Sequence, residues 1–344
     1  MSKVKRNSNG LPQFSRRTIA VNVLLALLVP GTVYALPVGG KVVSGQAAIS
    51  GSVANQLLIQ QASQKGIYNW QTFSIAPGEL VNFVQPNASS VALNHVLGGQ
   101  ASQIFGTLKS NGQVFLVNSA GILFAPGSSV DVGGFVGSTL NIANADFLAG
   151  KLVFSNDGNA GSIVNQGSIS AGAYAALIAP SISNSGSIVA NTAGLAAGDR
   201  VTLSFGPDNM LNVSVDAATL NAIISNGGLI RADGGQVTLS ARSSNALLDT
   251  VINNSGTIEA RSISSKNGRI LLDGGTAGVV SVSGTLDASG KNAGETGGSI
   301  AVLGDKVGLF NGAKLDASGD AGGGTVLAGG NFHGAGPEHD ASLT

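Results

Sequence analysis

Ser162-Ile-Val-Asn-Gln-Gly-Ser-Ile-Ser-Ala171 returns as Ser181-Ile-Ser-Asn-Ser-Gly-Ser-Ile-Val-Ala190, as Ile223-Ile-Ser-Asn-Gly-Gly-Leu-Ile-Arg-Ala232 and as Val251-Ile-Asn-Asn-Ser-Gly-Thr-Ile-Glu-Ala260. Two looser copies close at Ala288 and Ala317, so the terminal alanines are spaced by 19, 42, 28, 28 and 29 residues. One phrase returning in one orientation marks a chain built by stacking similar units. Each copy reads as a short alternating strand, an Asn/Gly turn and a second short strand. Asn and Gly are suited to the turn because both tolerate backbone conformations that other residues avoid.

Between the phrases lies a second recurring run. Gly234-Gly-Gln-Val-Thr-Leu-Ser-Ala241, Asn267-Gly-Arg-Ile-Leu-Leu-Asp273, Gly297-Gly-Ser-Ile-Ala-Val-Leu303 and Gly322-Gly-Gly-Thr-Val-Leu-Ala328 are Gly turns leading into β-branched or aliphatic strands. Such a pattern predicts a β-solenoid, in which each coil lays its strands on those of the coil before. Inward Ile, Val, Leu and Ala then form a continuous column, and Ser, Thr and Asn face water. A β-sandwich is the rival, but it predicts hairpins rather than a phrase that keeps its direction. At about 21 residues per coil, the chain beyond residue 35 makes roughly 15 coils and a rod of roughly 70 Å.

Composition agrees with one extended, turn-dense all-β domain. Of 344 residues 51 are Gly, 10% are charged and 43% are hydrophobic. The charged share is well below the roughly 25% of ordinary soluble domains. The first 35 residues read as a signal peptide: Lys3, Lys5, Arg6, Arg16 and Arg17 precede the apolar run Ile19 to Val29, and Val33-Tyr-Ala35 supplies small residues for cleavage. Ser15-Arg16-Arg17 raises the twin-arginine route, but the rest of that motif is poorly matched and the unfolded-chain route is preferred. Removing this segment leaves 13 basic against 18 acidic groups, a net charge of −5. That disfavours nucleic acid or an anionic membrane as partner. The chain has no cysteine. A polypeptide that crosses an oxidising periplasm unfolded benefits from having none.

Residues 36–165 differ from the later repeats in holding most of the large aromatics, among them Tyr68, Trp70, Phe73, Phe83, Phe115, Phe124, Phe135, Phe147 and Phe154. A larger core is expected here, because the first coils need a cap over the open sheet edge. The same stretch carries a recognisable order of segments: Tyr68-Asn-Trp-Gln-Thr-Phe-Ser-Ile-Ala-Pro-Gly-Glu-Leu-Val-Asn-Phe83, Val91-Ala-Leu-Asn-His-Val96, Ile104-Phe-Gly-Thr-Leu-Lys-Ser-Asn-Gly-Gln-Val-Phe-Leu-Val-Asn118 and Val130-Asp-Val-Gly-Gly-Phe-Val-Gly-Ser-Thr-Leu140. In order and spacing these resemble the secretion domain of the filamentous haemagglutinin family, exoproteins exported by two-partner secretion.

The resemblance implies a right-handed parallel β-helix, secretion from a Gram-negative bacterium by way of the periplasm, and a cognate outer-membrane β-barrel transporter as partner. It implies a transporter-recognition turn at Asn118, Ser119, Ala120, Gly121 and Ile122. The family's turn there is Asn-Pro-Asn-Gly-Ile. Here Pro and the second Asn are replaced, which predicts a less rigid turn. It also implies three segments: a signal peptide at 1–35, the cap and core of the secretion domain at 36–165, and a continuing β-helix at 166–344. The mature role implied is adhesin-like binding of host-cell or bacterial surface glycans and receptors by a monomeric rod. Haem or haemoglobin binding is an alternative, and a β-helical polysaccharide-degrading enzyme is a second. The Gly-rich close at Thr344 suits a fragment of a longer exoprotein.

Residues with catalytic or ligating chemistry are sparse. His95, His333 and His339 are scattered, so neither a metal nor another cofactor is expected. Asp287 and Asp316 occupy equivalent repeat positions and would lie on neighbouring coils, as acidic clefts of β-helical enzymes do. With no basic partner in view, they read as residues that begin turns. Trp70 with Tyr68 and Phe73 reads as core near the cap rather than as a glycan platform. A non-enzymatic protein is expected.

Overall fold

The computed structural model describes residues 36–53, 55–158, 160–206, 210–244 and 250–344. The expected signal peptide, residues 1–35, lies outside the described residues. Alternation decides the interior: in Ser162–Asn165 and its parallel partner Ser181–Asn184, Ile163 and Ile182 turn inward and are fully or almost fully buried. Each such residue contributes about 1.5–3 kcal/mol by leaving water. The chain is a parallel β-helix of three faces. A 20-stranded sheet wraps two of them and an 8-stranded sheet forms the third. Two faces merge because Ser168–Ile178 and Ser187–Ala197 run round the corner as continuous strands, with a register shift between Ala171 and Tyr174.

One column can be followed through every coil by register: Leu57, Val81, Leu108, Val130, Ile169, Ile188, Ile230, Ile258, Leu286 and Leu315. The later spacings are those of the repeated phrase, since Ser168 pairs with Ser187 and Leu229 with Thr257. The expected coil length, however, is too short. From Leu57 to Leu315 the chain takes nine steps, so a coil averages about 29 residues, and ten stacked rungs rise about 43 Å. More than half of the excess sits in two excursions, 130 to 169 and 188 to 230, and most of the rest in the last three coils of 28, 28 and 29 residues.

Those excursions build a second layer. The helix Asn144–Leu148 and the strand Leu152–Ser155 leave the first, and the hairpin Arg200–Phe205 with Leu211–Ala217 leaves the second. They meet as a three-stranded antiparallel sheet. It covers the outer side of the second face, where Ile67, Leu93, Phe115, Val136 and Ala176 form a column of their own. Phe115, Phe147 and Phe154 are buried there, with Phe115 and Phe147 edge to face at 5.9 Å. Outward residues of the early coils therefore do not all face water, contrary to expectation. Val213 and Val215 come so close to the coil that a Cβ at Gly194 or Gly198 would lie 2.5 or 2.3 Å from them.

At the N-terminal end Lys41–Ser44 and Ala47–Val53 run antiparallel to Lys65–Trp70 and Gln56–Gln61 and cover the first coil. Antiparallel pairing thus decorates a parallel ladder and does not replace it. The aromatics expected near this cap are core: Tyr68, Trp70 and Phe73 are at most 1% exposed, and Trp70 Nε1 donates to Asn94 Oδ1 at 2.9 Å. Gly40 packs on the Trp70 ring, where a Cβ would lie 2.4 Å from the indole.

Candidate functional site

The turn at Asn118–Ile122 joins the strand Gln113–Val117 to Ile122–Phe124, at the corner between the second face and the third. Asn118 is 1% exposed and closes the turn in two ways. Its backbone carbonyl accepts the Gly121 N–H at 3.1 Å, and its side-chain Oδ1 accepts the Ala120 N–H at 3.0 Å. Its Nδ2 reaches back one coil and donates to the Gln100 carbonyl and to Ser102 Oγ, both at 2.9 Å. These bonds close the turn without Pro or a second Asn.

Gly121 has φ +120, a conformation that disfavours a side chain, and a Cβ there would stand 3.2 Å from the Ser162 carbonyl. Its own carbonyl accepts the Ser102 N–H at 3.0 Å. Ile122 is 2% exposed and pairs with Ser102 below and Ile163 above. Asn118, Gly121 and Ile122 therefore face the fold. Ser119, which is exposed, and Ala120, which is half-buried, form the outward part. Both rim a shallow cleft of about 480 Å³ that Asn156, Pro180, Thr219 and Leu220 also line. Leu220 is 70% exposed. This surface offers apolar and hydrogen-bonding contacts.

The remaining candidates separate from this turn. Asp287 and Asp316 do stack in register, with Glu259 one rung earlier. Each begins a turn: Asp287 Oδ1 accepts the Ser289 N–H and Asp316 Oδ1 the Ser318 N–H, both at 3.0 Å. The Ser318 hydroxyl and N–H hold the Asp316 carboxyl below the usual carboxylate range. Contrary to the sequence reading, both have basic neighbours, Lys291 at 3.7 Å from Asp287 and Lys314 at 3.6 Å from Asp316. His95 lies within the strand Val91–Val96, 8% exposed, with Nε2 3.1 Å from Asn144 Oδ1. Burial lowers its pKa, and the Asn144 bond opposes the shift. Among the described residues no group of three His, Asp or Glu stands ready to hold a metal ion.

The residues that sequence reasoning misread are the asparagines of the repeated phrase. Taken as turn-formers, Asn165, Asn184, Asn226 and Asn254 are at most 1% exposed. They stack inside the helix as a hydrogen-bonded ladder, each Nδ2 donating to the next Oδ1 at 2.7 Å. Parity carried the signal, because Asn165 shares a strand face with inward Ile163.

A parallel β-helix with a covered first coil and a buried-Asn turn is a scaffold built from stacked repeats. Its residues 35–291 match the model of the TPS secretion domain, and the chain belongs to that family. A solved relative, the HMW1 secretion domain from Haemophilus influenzae, superposes with a TM-score of 0.80 at 34% identity, covering 90% of this chain and 82% of that one. Two H. influenzae proteins called heme/hemopexin-binding protein are each 30% identical over 267 and 281 residues, 73% of this chain in both cases. The chain spans 29% and 30% of their lengths. Family membership implies a cognate outer-membrane transporter and secretion across the outer membrane of a Gram-negative bacterium.

Proposed function

We propose that this β-helix directs the export of a longer exoprotein, with residues 1–35 as signal peptide, 36–165 as cap and core of the secretion domain and 166–344 as its continuing coils. The observation that carries the reading is the TPS family match over residues 35–291. In this reading the transporter meets the chain at Asn118–Ile122 through outward Ser119 and Ala120, while Asn118 and Gly121 keep the turn in shape. Each coil that emerges buries its apolar column on the coil before and so biases transit outward.

The mature role we assign is non-enzymatic, adhesin-like surface binding by a monomeric rod. A second reading, binding of haem or a haem-carrying protein, is favoured by the similarity to the two H. influenzae heme/hemopexin-binding proteins. Binding of labelled haem by the secreted protein, beside a reducing-sugar assay on acidic and neutral glycans, separates the readings.

Recognition is tested by co-expressing the chain with its transporter and measuring the secreted fraction. Ala120→Glu should leave the melting temperature unchanged and lower secretion several-fold, whereas Asn118→Leu should lower both. Normal secretion of both variants would remove the turn from the mechanism.

A further inference from the structure

Glu79 is 6% exposed, and among the described residues no Lys, Arg or His forms an ion pair with it. Carboxylates so buried ordinarily have a cationic partner. Instead, its Oε2 accepts two backbone N–H groups, those of Ala76 and Leu36, each at 2.8 Å. Leu36 is the residue that follows Val33-Tyr-Ala35, the expected cleavage pattern, and the family match begins at residue 35. Its side chain packs against the main core at the capped end. Its φ of +59 is unfavourable for a Leu within a chain, where the preceding carbonyl oxygen crowds the side chain. The next anchor is close, since Val38 exchanges backbone hydrogen bonds with Thr72.

We propose that the mature chain begins at Leu36, and that the α-ammonium created there is the missing cationic partner of Glu79. The inference rests on reading residues 1–35 as a signal peptide. Hydrolysis by a signal peptidase adds water across the Ala35–Leu36 amide. The carboxylate stays on Ala35, and the amine on Leu36 takes up a proton, because an α-amino group titrates at about 7.7–8.0. One neutral N–H donor becomes a charged group with three, already at hydrogen-bond distance from a carboxylate. Cleavage also removes the peptide link that defines the unfavourable φ of Leu36. Glu79 is thus a positioning residue that reads out processing: removal of the leader fastens the chain start to the first coil, beneath which the rest of the β-helix is built.

The test uses the protein secreted with its transporter. Its N-terminal sequence and intact mass are expected to begin at Leu36. Secretion with cleavage at another bond overturns the proposal and leaves the signal-peptide reading intact, while secretion without any cleavage overturns both. Hydrogen exchange then compares the free Leu36 amine with a Gly-Ser extension before Leu36, each with Glu79 or Glu79→Gln. With the free amine, Glu79→Gln should speed exchange in Gln56–Gln61 and Lys65–Trp70 about tenfold, the size expected of a charge-assisted bond. With the extension, the same substitution should change exchange less than about twofold. The extension alone, on an otherwise unaltered chain, should also speed exchange and needs no substitution. Equal effects of Glu79→Gln in both backgrounds would overturn the pairing.

Discussion

Replacing one asparagine of the internal ladder should destabilise the protein more, per residue changed, than replacing all four. Asn184 accepts from Asn165 Nδ2 and donates to Asn226 Oδ1, each at 2.7 Å and in a site at most 1% exposed. Asn184→Leu removes both bonds and strands a buried donor on one side and a buried acceptor on the other. Asn165 Nδ2 keeps only a long contact to the Ser187 carbonyl at 3.4 Å. An unsatisfied buried polar group costs about 1–3 kcal/mol, and the added apolar burial returns about 1 kcal/mol. The expected loss is about 3 kcal/mol.

Changing Asn165, Asn184, Asn226 and Asn254 together to Leu removes three side-chain bonds but strands no amide within the column. Of the groups the ladder bonds outside itself, the Gly167 N–H loses its Asn165 acceptor and the Ser187 and Leu229 carbonyls lose only long contacts, while the Gly256 carbonyl keeps the Thr285 N–H at 2.9 Å. The quadruple variant should therefore lose less than twice the single one. Urea unfolding at fixed m-value measures both. A loss under about 1 kcal/mol for Asn184→Leu, or a quadruple loss near four times the single one, would refute the argument that the ladder matters through mutual satisfaction.

Two further perturbations address the covering sheet. Gly194→Val places a Cβ where Val213 Cγ2 is 2.5 Å away, so the sheet must lift at a cost of about 1–3 kcal/mol. Hydrogen exchange should quicken in Arg200–Phe205 and Leu211–Ala217 and stay unchanged in Arg269–Asp273, which lies beyond it; unchanged exchange in the hairpin would contradict the close packing. His95, by contrast, tests burial through pH. Its folded pKa lies below the unfolded value of about 6.5, so between the two the unfolded chain binds more protons. Stability should fall as pH drops from about 6.5 to the lowered folded pKa and level off below it, and His95→Gln should abolish that slope in a pH series of urea midpoints.

Much of the fold was legible because a parallel in-register stack asks for the same residue type at the same rung. Ile169, Ile188, Ile230 and Ile258 are adjacent in space and equivalent in the phrase, so the copies announce their own pairing. The candidate turn was legible through its resemblance to a known pattern, although its partners Gln100 and Ser102 were not. They lie on the preceding coil, and nothing local to Asn118 points to them. Coil length was misjudged because the expected length of about 21 residues followed the tightest copies, 19 apart, while the later copies stand 28, 28 and 29 apart and are successive coils.

The continuous apolar runs Gln113–Val117 and Gly134–Ser138, buried at almost every position, were the trace of a strand covered on both sides. They could not say what covers it. The repeat alone determined that the chain winds into stacked rungs and which residues fill the column, because each rung is packed by its nearest copy. Where the chain leaves the rungs, how Leu152–Ser155 finds Arg200–Phe205, and that Leu36 comes to rest on Glu79 were decided only in three dimensions. Those contacts join segments 43 or more residues apart that share no motif, so their energies exist only once the intervening coils have stacked.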